Sequence, residues 1–370
     1  MSQVQQDEIF MRRVLDLAAK GLGRTSPNPA VGAVIVRGGR VIGEGFHHRA
    51  GLPHGEIEAL QRVKESAKDA TLYVNLEPCS HHGRTPPCAD AVLAAGIKRV
   101  VIGMVDPNPL VRGRGVRRLR RGGVEVRTGV LRECCERLNE DFATFIQTGR
   151  PMVTLKLAAS LDGRIATASG DSKWISGELS RRLVHEMRNR VDAVLVGVGT
   201  VHADDPQLTC RIRGGRDPLR VVVDGRLSIN PTARVCTQDS SAKTLLVTAN
   251  GNRGKKKRAE LEKKGVEVLS FPGDRGRVPF LPVLQELGRR ELKHVMIEGG
   301  GQIAAAVLAE GMVDKVLFFY GPKLLGGEGL PMVGPLGVDR VAAALKLHKI
   351  ELHQLRDDVL VSGYIHKERG

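Results

Sequence analysis

Apolar strand-like runs alternate with helical stretches along this chain of 370 residues, and the alternation predicts an α/β fold. Two observations divide it into two domains. The helical pattern of "FATFIQTG" breaks at Gly149-Arg150-Pro151, and a fresh apolar run, "MVTLKLAAS", starts at once. The length also suits two separate cores, at about 100–200 residues each. We expect domains at 1–148 and 149–370, with no internal repeat.

In chain order, "EIFMRRVLDLAAKG" (8–21) has apolar residues at helical spacing and a glycine stop. "AVGAVIVRGGRVIGEGFH" (30–47) reads as a hairpin turning at Arg-Gly-Gly. A helix is expected from about His54 to Ala67, then the strand "ATLYVNLE", a cysteine-bearing loop, the helix "CADAVLAAG" and the strand "KRVVIGMVD". In the second half "MVTLKLAAS", "DAVLVGVGT", "LRVVVDG", "KTLLVTA", "VEVLSF", "HVMIEGG", "KVLFFYG" and "VLVSGYIH" read as strands, several separated by helical segments.

Composition narrows the function classes. Lys and Arg number 57 against 41 Asp and Glu, a net charge of +16. Arginines crowd "VRGRGVRRLRRGG" (111–123) and lysines "GKKKRAELEKKG" (254–265). Such surfaces attract anions, whether nucleic acid or phosphorylated small molecules. Aromatic residues make up only 3%, too few for the stacking platforms of single-strand binders, so nucleic acid is not expected, though composition alone leaves RNA open. The amino terminus lacks a signal-peptide core and no run of about 18 apolar residues occurs, so a cytoplasmic protein without a membrane partner is expected. In a reducing compartment six cysteines do not make a disulfide framework. Cys134, Cys135, Cys210 and Cys236 read as small half-buried hydrophobes.

Cys79 and Cys88 differ. They flank "SHHGRTPP", and upstream "LPHGEIEAL" supplies His54 and Glu56. His-x-Glu, then Pro-Cys, then a second Cys opening a helix is the layout of the zinc deaminases. One imidazole and two thiolates hold one Zn²⁺ tetrahedrally and leave a fourth position for water. The metal brings the pKa of that water down to about 7. Glu56, two residues from His54, can take the proton and pass it to the ring nitrogen and the departing ammonia. Cys88 at a helix start favours the thiolate. Singly these residues are ordinary, and His81 and His82 are rival ligands; the combination is specific.

Nucleoside and nucleic-acid deaminases usually close the site with Cys-x-x-Cys, whereas here eight residues intervene. "EPCSHHGRTPPC", with "SPNPAVGAVIV" (26–36) and "DPNP" (106–109), resembles the bifunctional pyrimidine deaminase/reductases of bacterial riboflavin biosynthesis, the RibD family. The resemblance covers essentially the whole chain. It implies a cytidine-deaminase-like three-layer sandwich followed by a dihydrofolate-reductase-like α/β domain, and a homo-oligomer. It also implies that Asn28 and Asn108 hold the pyrimidine and that Arg84 takes the ribose phosphate. Asn28 and Asn108 have an equally plain reading as turn residues beside proline. Gly55 stands where the family commonly has alanine, which costs at most about 1 kcal/mol of helix propensity.

In the second half "HVMIEGGGQIAAAVLAEG" is a strand running into three glycines and a small-residue helix, a phosphate-binding pattern that is weak alone. "LKLAASLDGRIA" (155–166), "SGDSKWIS" (169–176), "VGVGTVHADDPQLTCR" (196–211) and "VVVDGR" (221–226) resemble the family's reductase domain. By that resemblance Ala158, Trp174, Thr200, Asp204, Gly225 and the turn Gly300, Gly301, Gln302, Ile303, Ala304, Ala305 and Ala306 contact NADPH. Ser172, Arg188, Leu208, Arg211 and Glu298 line the substrate pocket, the two arginines suiting a phosphate. Asp204 and Glu298 are the candidate proton donors, with water a third source.

The implied function is zinc-dependent deamination of 2,5-diamino-6-(5-phosphoribosylamino)pyrimidin-4(3H)-one, then NADPH-dependent reduction of the ribosyl chain. Its partners are phosphorylated pyrimidines. Two other readings stay open on the residues: a tRNA or nucleoside deaminase fused to an inactive reductase-like module, and a non-catalytic RNA-binding protein with structural zinc and a fourth ligand such as His82.

Overall fold

The computed structural model describes residues 2–80, 87–249, 254–273 and 276–366. It divides into two compact units, one ending at Gly149 and the other starting at Arg150.

The first unit opens with α1 (Gln3–Ala19), where the Ser2 hydroxyl accepts from the Gln5 amide and the Gln5 side chain accepts from the Ser2 amide. Strands β1 (Gly32–Arg37) and β2 (Arg40–Phe46) form the expected hairpin. Then come α2 (Gly55–Gln61), β3 (Thr71–Leu76), α3 (Cys88–Ala94), β4 (Arg99–Met104), α4 (Arg114–Arg121), β5 (Glu125–Thr128), α5 (Arg132–Leu138) and α6 (Glu140–Thr148). Helix α2 stops at Gln61 rather than near Ala67, and further along Ser66 turns the chain by accepting from the Lys68 amide.

The sheet order is β2-β1-β3-β4-β5, antiparallel across the first two pairs and parallel thereafter. Helices cover both faces. A Cβ on Gly32 would stand 2.3 Å from the Val14 carbonyl oxygen of α1, and one on Gly45, opposite Ala33, 2.5 Å from Glu58 of α2. Between these layers lies a core including Met11, Val14, Val34, Ile35, Leu72, Val74, Val101 and Leu119.

One buried carboxylate fastens α1 to three strands. Asp7 accepts from Tyr73 at 2.9 Å, from Arg99 at 2.9 and 2.8 Å, and from Arg127 at 2.7 Å. Burial pushes its pKa up, yet the bonds from Arg99, Gln3 and Tyr73 outweigh burial and hold it at about 2.

The second unit runs β6 (Met152–Ser160), β7 (Arg164–Ala166), α7 (Glu178–Arg190), β8 (Ala193–Gly197), α8 (Val198–Asp204), β9 (Leu219–Val223), α9 (Arg234–Thr237), β10 (Thr244–Thr248), α10 (Lys255–Lys263), β11 (Val266–Ser270), α11 (Phe280–Arg289), β12 (His294–Glu298), α12 (Gly301–Ala309), β13 (Lys315–Gly321), β14 (Leu330–Pro331), β15 (His348–Leu355) and β16 (Asp358–Tyr364). Sheet order is β11-β10-β9-β8-β12-β6-β13-β16-β15, parallel from β11 to β13 and antiparallel beyond. Alternate residues feed two cores: Ala193 and Leu195 enter one, Val194 and Val196 the other. The strand expected to reach Thr200 ends at Gly197, and Thr200 lies on α8.

Candidate active sites

In the first unit the exit of β3, the start of α2 and the start of α3 converge. His54 is the residue before α2, Glu56 lies in its first turn, Cys79 follows β3, and Cys88 opens α3 behind Pro87. His54 Nδ1 stands 3.3 Å from Cys88 Sγ and 3.8 Å from Cys79 Sγ. All three donor atoms lie within 4.8 Å of one another, as sharing a single ion requires. The Cys88 amide donates to Cys79 Sγ at 3.2 Å.

The donor set suits a divalent soft-to-borderline metal. Hydrogen bonds from Cys88 and His54 outweigh burial and hold Cys79 down to about 4, while the same contact with Cys79, then burial, push the Cys88 thiol up. Two thiols this close both ionise once a cation sits between them. His54 is raised, first by its bond to Cys79. Glu56 is buried, its Oε2 has no hydrogen-bond partner among the described residues, and burial pushes its carboxyl up to about 7. An unpartnered buried carboxylate oxygen beside a three-donor cluster fits a zinc site with one open position.

Gly55 has a packing role that helix propensity does not convey. A Cβ there would stand 2.7 Å from the Val31 carbonyl oxygen, so the glycine seats His54 and Glu56 against β1. The buried His47 ring, which no sequence motif marks, lies 3.0 Å from Asn28 Nδ2 and 2.9 Å from the Pro53 carbonyl, and meets His54 edge-on at 5.1 Å. Asn28 is therefore joined to the segment carrying His54. Asn108 Oδ1 accepts from the Leu110 amide at 3.0 Å, a turn-forming bond. Arg84, His81 and His82 lie outside the described residues.

In the second unit the carboxyl ends of the parallel strands β9, β8, β12 and β6 lie side by side, the end of an open α/β sheet at which ligands generally bind. Strand β12 runs out at Glu298 into Gly299, Gly300 and Gly301. Gly299 adopts a φ of +135°, and a Cβ on it would meet Thr200 Oγ1 at 2.7 Å. A Cβ on Gly301 would stand 2.5 Å from the Pro331 carbonyl oxygen. Ile303 packs 3.5 Å from the Cβ position of Gly197, so Thr200 and the glycine turn share one cradle. On α12, Gln302 and Ala306 are exposed while Ala304 and Ala305 are buried.

Glu298 and Lys156 are register partners on β12 and β6, 3.8 Å apart. Arg188, near the end of α7, donates to Glu298 from Nε at 2.7 Å and from a terminal nitrogen at 3.0 Å, and to the Thr209 carbonyl at 3.1 Å. Its fork is thus engaged by a carboxylate, whereas sequence reading gave it to phosphate. Burial pushes Glu298 up, but Arg188 and Lys156 outweigh it and hold the carboxyl at about 2. That makes Glu298 an ionised partner at neutral pH, not a proton store. Lys156, whose ammonium burial pushes down, was missed because a single lysine in an apolar run carries no spacing signal.

Arg211 is exposed, and partial burial with nearby Arg188 and Arg234 lowers its pKa. The Leu208 side chain belongs to the core, at 3% exposure and a φ of +57°, so it cannot line a pocket with its side chain. Trp174 is 61% exposed, with the Arg181 guanidinium 4.5 Å from its ring centre and its carbonyl accepting from Lys323 at 2.5 Å. Ser172 shares that loop, Ala158 lies on β6, Gly225 follows β9, and Asp204 ends α8 exposed to solvent.

A family model described as the cytidine and deoxycytidylate deaminase zinc-binding region matches residues 4–104, and one described as the RibD C-terminal domain matches 151–361. The riboflavin biosynthesis protein RibD of Aquifex aeolicus is 44% identical over 356 residues, 96% of this chain and 97% of that protein. The Synechocystis RibD is 45% identical over 360 residues, 97% of this chain and 96% of that protein. A Thermotoga maritima crystal structure of a diaminohydroxyphosphoribosylaminopyrimidine deaminase/5-amino-6-(5-phosphoribosylamino)uracil reductase is 40% identical. It covers 99% of this chain and 100% of its own, with a TM-score of 0.87. The first unit is accordingly a cytidine-deaminase-like sandwich and the second a dihydrofolate-reductase-like α/β domain. With both domains matched in order along the whole length, the chain belongs to the RibD family of bifunctional deaminase/reductases of riboflavin biosynthesis.

Proposed function

We propose that the first domain, 1–148, hydrolytically deaminates 2,5-diamino-6-(5-phosphoribosylamino)pyrimidin-4(3H)-one and that the second, 149–370, reduces the product with NADPH to 5-amino-6-(5-phosphoribitylamino)uracil. The observation that carries the reading is the convergence of His54, Cys79 and Cys88 beside the Glu56 carboxylate, whose Oε2 has no partner among the described residues. Held by those three atoms, one zinc ion supplies the Lewis acidity that makes water nucleophilic at neutral pH. Glu56 accepts the water's first proton and delivers it to the ring nitrogen, then carries the second proton, from the new ring hydroxyl, to the amino group that leaves as ammonia. Asn28, steadied by His47, and Asn108 hold the pyrimidine edge, and Arg84 takes the ribose phosphate.

In the reductase, Gly299 to Gly301 let the cofactor approach the main chain, Thr200 and Asp204 border it, and Trp174 offers an exposed ring. NADPH supplies the reducing equivalent at C1′ of the ribosylamino group. Glu298, fixed as an anion by Arg188 and Lys156, orients the sugar, and Arg211 is the freer guanidinium for its phosphate. The cytoplasm is the expected location; no helix among the described residues is long and apolar enough to cross a membrane. The edge strand β15 exposes Ile350 and Leu352, at 57% and 70%, which supports a homo-oligomer closing on that edge.

The test supplies the phosphorylated diaminopyrimidine with NADPH and follows ammonia and nicotinamide absorbance together. The reading expects ammonia release to precede cofactor oxidation; oxidation without ammonia, or neither signal, would contradict it.

A further inference from the structure

The arginine run 111–123 has no part in the chemistry so far, yet the fold sets it beside the deaminase site. On α4, Arg114, Arg117, Arg118 and Arg121 recur at steps of three, one and three residues, forming one exposed stripe. Arg118 pairs with Asp90. Among the described residues no carboxylate pairs with Arg114, Arg117 or Arg121. Like charges at this spacing repel one another along a helix, so the stripe costs stability unless an anion offsets it.

Its position is built. Glu77, at the exit of β3 and 5% exposed, accepts from the amides of Asp106 at 3.1 Å, Gly113 at 2.9 Å and Val116 at 3.0 Å. It thereby takes up the free amides at the start of α4 and ties that helix to the segment Glu77–Ser80, which carries Cys79. Gly115 completes the contact: a Cβ there would stand 2.1 Å from the Pro78 carbonyl oxygen. The four arginines then line a groove with Ser80, next to Cys79, and with Leu93 and Gly122. Leu93 lies on α3, the helix that Cys88 opens, so both thiolate-bearing segments border the groove.

We propose that this groove is an additional anion subsite that first captures the phosphate monoester of the deaminase substrate and passes it on to Arg84 as the pyrimidine enters the metal site. The proposal rests on the deamination reading above. Guanidinium forks match phosphate oxygens, and among the described residues no aromatic ring lines the groove to stack bases. The stripe from Arg114 to Arg121 spans about 10 Å, the scale of one phosphorylated sugar rather than a polynucleotide.

The test uses the zinc-loaded full chain and the triple variant Arg114→Gln, Arg117→Gln, Arg121→Gln, with Lys255→Gln, Lys256→Gln, Lys257→Gln as a charge-matched control. For the triple variant, kcat/KM with the phosphorylated diaminopyrimidine should fall about tenfold through KM, the scale of a few partly exposed charge-assisted contacts. The dephosphorylated substrate and the lysine control should show no such loss. Inorganic phosphate, titrated directly by calorimetry, should bind the parent more tightly than the triple variant. Equal loss on both substrates, unchanged KM, or unchanged phosphate binding would overturn the subsite. So would RNA binding that the triple variant alone loses while phosphate affinity persists. Arg117→Glu alone should reproduce the KM rise if the triple variant folds poorly. A parent that releases no ammonia would sink the deamination reading, while the calorimetric comparison still decides the groove.

Discussion

Two buried glutamates, one in each unit, are driven in opposite directions by their surroundings. Glu56 has an oxygen without a partner, and burial raises its carboxyl to about 7. Glu298 is as deeply placed, but Arg188 and Lys156 bring it to about 2. The first is suited to moving protons, the second to staying charged and organising what surrounds it. In the function proposed above, the same side chain reacts in one domain and positions substrate in the other, and its partners decide which.

That contrast can be broken in graded ways. The largest effect is expected from a zinc chelator: ammonia release should cease, while reduction of the already deaminated substrate continues. Loss of both activities together would mean that the metal supports more than the first domain. Arg188→Met should come next. It takes away both hydrogen bonds to Glu298 and leaves that buried carboxylate with only Lys156, 3.8 Å away, as a charged partner among the described residues, at a cost of up to about 3–5 kcal/mol in unfolding measurements. It should also lower reduction about a hundredfold by loosening the crevice, with deamination intact. A variant as stable as the parent would show that Glu298 is not held as an ion.

Asp7→Asn addresses a third buried carboxylate with a purely structural part. The folded pKa of about 2 lies below the ordinary value of about 3.9, so its contribution is complete above about pH 4 and is lost as pH falls toward 2. The shift corresponds to about 2 kcal/mol at neutral pH. Unfolding at pH 7, compared with unfolding across pH 4 to 2, should show the parent losing that amount and the variant lacking that acid-dependent loss. A parallel acid dependence in both would remove Asp7 from the account. The smallest effect is expected of Asp204→Asn: exposed at the end of α8, it should weaken reduction about tenfold and leave deamination alone. Equal reductase rates would take Asp204 out of the site.

The two sites were unequally legible in the sequence, for a physical reason. The metal site is encoded locally: His54 and Glu56 share a helix start, and Cys79 and Cys88 bracket one loop, so spacing alone points to the chemistry. The reductase crevice is assembled from strand ends far apart in the chain, and pairings such as Lys156 with Glu298 exist only once β6 and β12 lie side by side. His47, Glu77 and Asp7 were missed likewise, since each acts through partners in other elements. Strand β15 escaped although Ile350 and Leu352 alternate with polar neighbours, because it is an edge strand whose residues are mostly exposed, those two included. For Leu208 the resemblance does not specify whether side chain or backbone would face the ligand, and its side chain lies in the core.

The separation of the two chemistries is tested most directly by Glu56→Gln, with bound zinc, ammonia release and NADPH oxidation measured on one preparation. Zinc should stay at one ion per chain, reduction of the deaminated substrate should match the parent, and ammonia release should fall by about a thousandfold. Ammonia release at the parent rate, with zinc in place, would contradict the assignment of Glu56 as the proton carrier.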